Sequence, residues 1–147
     1  MREILFRGKR CDNGEWVQGF YVRADHHWHK NGIHKDWIAL GASANGGWFA
    51  LHNKYAVKAE TVGQFTGLTD KNGKMIFEGD IVQYFQRLLG GVDYEHKDPV
   101  LFLEGGFTVG VYFLNNWLRD CSNGNIQLEG IEVIGNIHDN PELLENH

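Results

Sequence analysis

The chain has 147 residues, 42% hydrophobic and 22% charged, with 19 Gly against 2 Pro, which is enough for one compact domain or two small lobes to form a core without a disulfide or metal staple. Its net charge of −5 argues against a protein that grips nucleic acid without sequence preference, since that needs a clustered positive surface. The N-terminal MREILFRGKR is too charged for a signal-peptide core and no apolar run reaches the ~18 residues of a membrane helix, so a cytoplasmic protein with free thiols at Cys11 and Cys121 is expected.

Asn-Gly occurs five times, and because both residues tolerate positive φ it is the strongest short-range signal for a type I′ hairpin turn. Glu3–Cys11 alternates as a strand, Asp12–Glu15 turns on Asn13-Gly14, and Trp16–Arg23 returns. Ala24–Asn53 has no clean period and is expected as a long, partly ordered excursion. Within it, Trp37–Leu40 and Trp48–Leu51 read as short strands around ASANGG. Ala56–Phe65 follows as a strand, then Asp70–Lys74 as a tight turn on Asn72-Gly73. Ile81–Phe85 is the next strand, opened by Gly79-Asp80, where Gly permits a sharp bend and Asp accepts nearby backbone donors. Arg87–Asp98 is mixed in character and reads as a loop. Val100–Leu103 and Phe107–Leu114 pair across Glu104-Gly105-Gly106, and Gly130–Ile137 closes the sheet structure. Asn140-Pro141 supplies an N-cap and an N1 proline for a short helix, Pro141–Glu145. Glu60–Phe65 and Glu132–Ile137 share the pattern Glu-x-aliphatic-Gly-amide-apolar, which predicts neighbouring strands with a bulge or close approach at each Gly.

Three stretches, REILFRGKRCDNGEWVQGFYV, YAVKAETVGQFTGLTDKNGKMIFEGDIVQY and EVIGNIHDNPELL, taken together and in this order, resemble the YopX family of phage and prophage proteins. Ala59 stands where that family usually has Pro. The resemblance implies a mainly β protein with an N-terminal β layer, a C-terminal SH3-like small barrel and a short C-terminal helix. It also implies a bacteriophage or prophage origin, hence the cytoplasm of a bacterial host. A single domain over 1–147 is expected, or the same domain built as two lobes, 1–68 with its irregular segment 24–53 and 69–147, with Val62–Tyr84 as the hinge between them. Gly14, Gly63, Gln64, Thr66, Gly67, Asp70, Gly73, Gly79, Asp80, Gly135 and Asn136 carry over as signature or structural positions, since the resemblance supplies no catalytic residues.

Three chemistries compete with a purely structural use of these residues. His26, His27, His29 and His34 offer imidazoles within one short stretch, with His27 and His29 as the weak metal candidates, but no CxxC or HExxH pattern accompanies them, and neither metal nor cofactor is expected. Glu78 and Asp80 with His138 and Asp139 would serve a small hydrolase, because paired titratable groups can shuttle a proton; Asp80 and Asp139-Asn140-Pro141 are equally well explained as turn residues. Trp28, Trp37 and Trp48 fall in the irregular segment, where an exposed aromatic patch would suit a protein partner, although core packing is the commoner use of Trp. Arg2, Arg7, Lys9 and Arg10 form the one basic cluster, and their alternation reads as a solvated strand face. Charge is uneven: Met1–Glu60 holds 9 Lys/Arg against 6 Asp/Glu, and Thr61–His147 holds 5 against 13. The expectation is therefore a non-enzymatic binding or adaptor module for a host or phage protein, or for a second copy of the chain, away from membranes. A nucleic-acid-binding barrel is the alternative, and a small hydrolase comes third.

Overall fold

The computed structural model describes residues 3–23, 35–46, 48–88, 91, 93–110, 112–114 and 126–145. The chain divides into two units, Met1–Phe65 and Thr66–His147, with the boundary at 65/66 inside the strand Gly63–Thr69. The described strands pair antiparallel, as alternation predicts. Among the described residues no helix is long and apolar enough to cross a membrane.

In the first unit, β1 (Phe6–Lys9), β2 (Trp16–Arg23), β3 (Asp36–Asn45), β4 (Trp48–Ala56) and the start of β5 (Gly63–Thr69) pair in the order β4-β3-β2-β1-β5. Arg10 N donates to the Glu15 carbonyl at 2.9 Å and Gly14 N to the Arg10 carbonyl at 3.1 Å, closing the first turn. This is not the expected type I′ geometry, because Gly14 has φ +73° but Asn13 does not take positive φ. Asp12 Oδ1 accepts from Asn13 N at 2.8 Å and Asn13 Oδ1 from Glu15 N at 3.0 Å, so an Asx arrangement turns the chain with a single left-handed residue.

The excursion expected over Ala24–Asn53 is corrected in its second part. β3 and β4 form one long hairpin in continuous register from Trp37↔Ala56 to Asn45↔Trp48. Ile38 and Ala39 are neighbours on opposite faces of β3 and both are 0% exposed, so burial on two sides hides the period of two that marks a one-sided strand. The expected single strand Ala56–Phe65 is also corrected: a 3-10 turn, Ala59–Thr61, separates β4 from β5. The Thr61 hydroxyl donates to the Lys58 carbonyl at 2.6 Å and accepts from Lys9 N at 2.9 Å, so a side chain satisfies groups that a ladder would otherwise pair. Ile38, Ala39, Val57 and Phe65 are the buried large or aliphatic residues of this unit among the described residues.

In the second unit β5 ends beside β6 (Met75–Phe77), and β7 (Asp80–Leu88), β8 (Asp93–Leu103), β9 (Gly106–Val109), β10 (Tyr112–Phe113) and β11 (Ile126–Asn136) form a sheet of order β10-β9-β8-β7-β11. The SH3-like closure expected from the resemblance is not among these pairings. Val82, Tyr84, Val100, Phe107, Val109 and Val133 from the sheet pack with Ile76 and Leu114, and burying each aliphatic side chain contributes about 1.5–3 kcal/mol.

The loop expected over Arg87–Asp98 is overturned. β7 and β8 form a continuous ladder from Ile81↔Pro99 to Arg87↔Asp93, and DYEHKDP is held as a strand by its partner although every residue in it is polar, aromatic or Pro. The adjacency expected for Glu60–Phe65 and Glu132–Ile137 is overturned too, since β5 pairs with β1 and β6 while β11 pairs with β7. The bulge expected at the second Gly is present, as a register shift between Val133 and Gly135. The C-terminal helix is a single 3-10 turn, Pro141–Leu144, and Asn140 does not cap it by its side chain; Asn140 Oδ1 instead accepts from Asn136 N at 3.3 Å.

Asp70–Lys74 is a three-residue loop closed by Gly73 N to the Asp70 carbonyl at 3.0 Å and Asp70 N to the Lys74 carbonyl at 2.8 Å. Only Gly73 is left-handed here, at φ +80°, so the I′ expectation gives way to a type I turn followed by a glycine bulge. Positive φ at both central residues occurs instead at Glu104 (φ +50°) and Gly105 (φ +82°), inside the Leu103↔Gly106 pair. At Gly73 an added Cβ meets nothing within 4 Å, so Gly73→Val tests backbone strain alone. It should cost about 1–2 kcal/mol, the penalty of left-handed backbone for an L residue, read as a lower urea midpoint; an unchanged midpoint would remove the strain argument.

Candidate functional site

Signature positions are taken up by the scaffold. Asp70 is 7% exposed; its Oδ1 accepts from Asn72 N and Lys74 N, both at 2.9 Å, and its Oδ2 from Val133 N at 3.0 Å. Burial pushes this carboxyl up, and the Val133, Lys74 and Asn72 donors outweigh it and hold it below the usual range. Asp80 is 1% exposed and its Oδ2 accepts from Phe77 N at 2.8 Å. Thr66 Oγ1 donates to the Ile76 carbonyl at 2.8 Å. Gly67 and Gly79 are left-handed at φ +86° and +88°, while Gly63 and Gln64 pair with Arg7 and Phe6.

The two turns that carry the residues of the hydrolase reading adjoin at Gly79. Ile137 N donates to the Gly79 carbonyl at 2.9 Å, and His138 Nε2 lies 3.7 Å from where a Cβ on Gly79 would stand. Glu78, Asp80, His138 and Asp139 thus come from two adjoining turns. Asn136 organises the second: its Oδ1 accepts from His138 N at 3.0 Å and Asp139 N at 2.9 Å, and its Nδ2 donates to Asp139 Oδ2 at 3.1 Å. Asp80 faces Phe77 N, so both acids serve turn geometry. Among the described residues no three His, Cys, Asp or Glu side chains form a group able to hold a metal. His26, His27, His29 and His34 lie outside the described residues, as do Trp28, Arg2 and Cys121.

Trp37 is on β3, half-buried, and lines a cleft of about 350 Å³ with Cys11, Asp12, Lys54, Tyr55 and Ala56. Lys54 Nζ stands 5.5 Å from the Trp37 ring centroid and Arg10 Cζ 4.3 Å from that of Tyr55. Arg10 Nη2 also meets Asp12 Oδ2 at 2.6 Å, and this bond holds the Asp12 carboxyl below its usual range. Burial pushes the Cys11 thiol up, which disfavours the reactive thiolate. Trp48 is in β4 opposite Asn45, and its side chain is outside the description. The solvated basic face expected of β1 is corrected: Arg7 and Arg10 are half-buried, with Arg7 Cζ 4.8 Å from the Trp16 ring centroid.

Sequence reasoning placed the β8–β9 hairpin across Glu104-Gly105-Gly106 but missed the exposure at its end. Leu101, Phe102 and Leu103 are 38%, 49% and 51% exposed, so large apolar side chains stand out on both faces of one strand. Phe102 lies edge-on to the buried Phe107 with centroids 5.1 Å apart. The signal was legible as LFLEGG, three large apolar residues directly before a tight turn, a pattern that stands out when no core covers it. The misassigned loop also concealed a polar row on β7 and β8: Tyr84 Oη donates to Asp98 Oδ2 at 2.7 Å, and His96 Nε2 meets Gln86 Oε1 at 2.9 Å.

The chain is a mainly β protein of two antiparallel sheets, with Asp70 and Asp80 absorbed into turns and with Leu101, Phe102 and Leu103 exposed in succession at the end of a hairpin. It belongs to the YopX family, whose model, described as YopX protein, matches residues 5–145. It is similar in fold to a solved structure, "Crystal structure of protein EF1440 from Enterococcus faecalis", at 24% identity and a TM-score of 0.56, covering 98% of this chain and 99% of that one. No curated protein matches the chain.

Proposed function

We propose that the protein is a non-enzymatic binding module that docks a protein partner through the β8–β9 hairpin, and that it works in the cytoplasm of a bacterium carrying the phage or prophage that encodes it. The observation that carries this is the exposure of Leu101, Phe102 and Leu103 in succession, since grouped apolar exposure on a folded surface marks interaction sites. The engagement of Asp80 by Phe77 N and of Asp139 by Asn136 Nδ2 supports a non-enzymatic reading over the hydrolase. The stacking of Arg7 and Arg10 on aromatic rings leaves the nucleic-acid alternative with less free positive surface.

Leu101 and Leu103 share the outer face of β8, so Leu101→Ser/Leu103→Ser removes the patch and leaves Phe102 on Phe107. Capture from cells carrying the phage should yield a specific protein whose affinity for the variant falls at least about tenfold, the scale of losing an anchor, with the melting midpoint nearly unchanged. Equal capture by both proteins would defeat this location for the surface.

A further inference from the structure

We propose that the Leu101–Glu104 hairpin of one copy docks into the Trp37–Lys54 cleft of a second copy, with Glu104 meeting Lys54. This rests on the binding reading above and names an occupant for it. The cleft has one aromatic wall, Trp37, since the register Trp37↔Ala56 and Ile38↔Tyr55 turns the Tyr55 ring to the other face of the β3–β4 hairpin, where Arg10 stacks on it. Of the charges along it, Asp12 is matched by Arg10 at 2.6 Å, whereas among the described residues no carboxylate pairs with Lys54, whose described contact is the Trp37 ring at 5.5 Å. An occupant that fits must bring an apolar group to the Trp37 side of the cleft and one carboxylate to the Lys54 ammonium beside it.

The hairpin carries that combination. Leu103 and Phe102 are about half exposed, Glu104 is the exposed first residue of the turn, and the two-residue loop makes a narrow end that a cleft of about 350 Å³ can admit. The wider charge balance agrees. Residues 61–65 are uncharged, so the first unit carries 9 Lys/Arg against 6 Asp/Glu and the second 5 against 13. Opposite potentials steer two surfaces together and set their register.

Sedimentation of the full chain from about 1 μM to about 1 mM, the span of weak association, tests the pairing. Concentration-dependent association is expected, weakened about tenfold by Lys54→Glu and by Glu104→Lys, and restored when the two variants are mixed or combined, because a charge swap recovers a direct pair. Glu104→Gln, which keeps the shape of the turn, should weaken it in the same direction. A monomer across the whole range would overturn the proposal, and so would association indifferent to the charge variants. Association lost in Leu101→Ser/Leu103→Ser but unmoved by Lys54→Glu would overturn the cleft as the receptor and leave the hairpin reading standing. Partner capture by a chain that stays monomeric would do the same.

Discussion

Gly19→Ala should be among the most damaging single-methyl changes in the protein, costing about 3 kcal/mol or more. A Cβ on Gly19 would stand 2.3 Å from the Ala39 carbonyl oxygen, 3.0 Å from its carbon and 3.1 Å from Ile38 Cγ2. The nearest obstacle is main chain, and it is held by the β2–β3 ladder at the Phe20↔Ala39 pair, so no side-chain rotation relieves it. Overpacking a core ordinarily costs about 1–3 kcal/mol when side chains can adjust; here β3 itself has to move, and with it Ile38 and Ala39, both 0% exposed. Gly41→Ala is the internal control, since its Cβ would meet only His52 Cβ at 3.9 Å. Urea unfolding of the two variants should show a large drop for the first and little change for the second. Similar midpoints would contradict the packing of β2 against β3.

Asp70→Asn should cost about 3 kcal/mol at neutral pH, because three backbone N–H groups lose a charged acceptor, each such bond being worth about 1.5–3 kcal/mol before non-additivity. An amide also presents its own donor to one of them. The effect has a pH signature. The folded carboxyl is held below its ordinary value, so it stays ionised to lower pH in the folded chain than in the unfolded one. The stability it contributes is therefore fully present above the unfolded pKa, about 3.9 for Asp, and is lost as pH falls through the folded value. Wild-type and variant should differ most between pH 5 and 7 and converge in acid, as followed by urea midpoints in a pH series. A gap that held constant down to low pH would mean that shape, rather than charge, explains the loss.

Features that depend on a residue's own sterics were legible in the sequence. Gly14, Gly73 and Gly79 sit at left-handed turns, and Trp16–Arg23 is the strand that its alternation predicts. The resemblance in the signature stretches correctly implied the family and a mainly β fold. Turn type was less legible, because Asp12 and Asn13 bond nearby backbone and keep Asn13 out of the left-handed region. The proposed surface was least legible: the sequence reading weighed Trp28, Trp37 and Trp48, and the exposure of residues 101–103 depends on what the fold leaves uncovered.

By itself, then, the sequence determined where the chain turns and which short segments extend, since sterics at Gly, Asn and Asp and the alternation of neighbouring side chains act within a few residues. Only the tertiary structure decided that Asp93–Asp98 joins the strand running to Leu103, that Asp70 reaches Val133, and that Gly19 is needed against Ala39. Each of those depends on a partner brought alongside by strand register. DYEHKDP has little strand character until β7 lies next to it, and nothing local to Gly19 announces a carbonyl that arrives from a strand twenty residues further along.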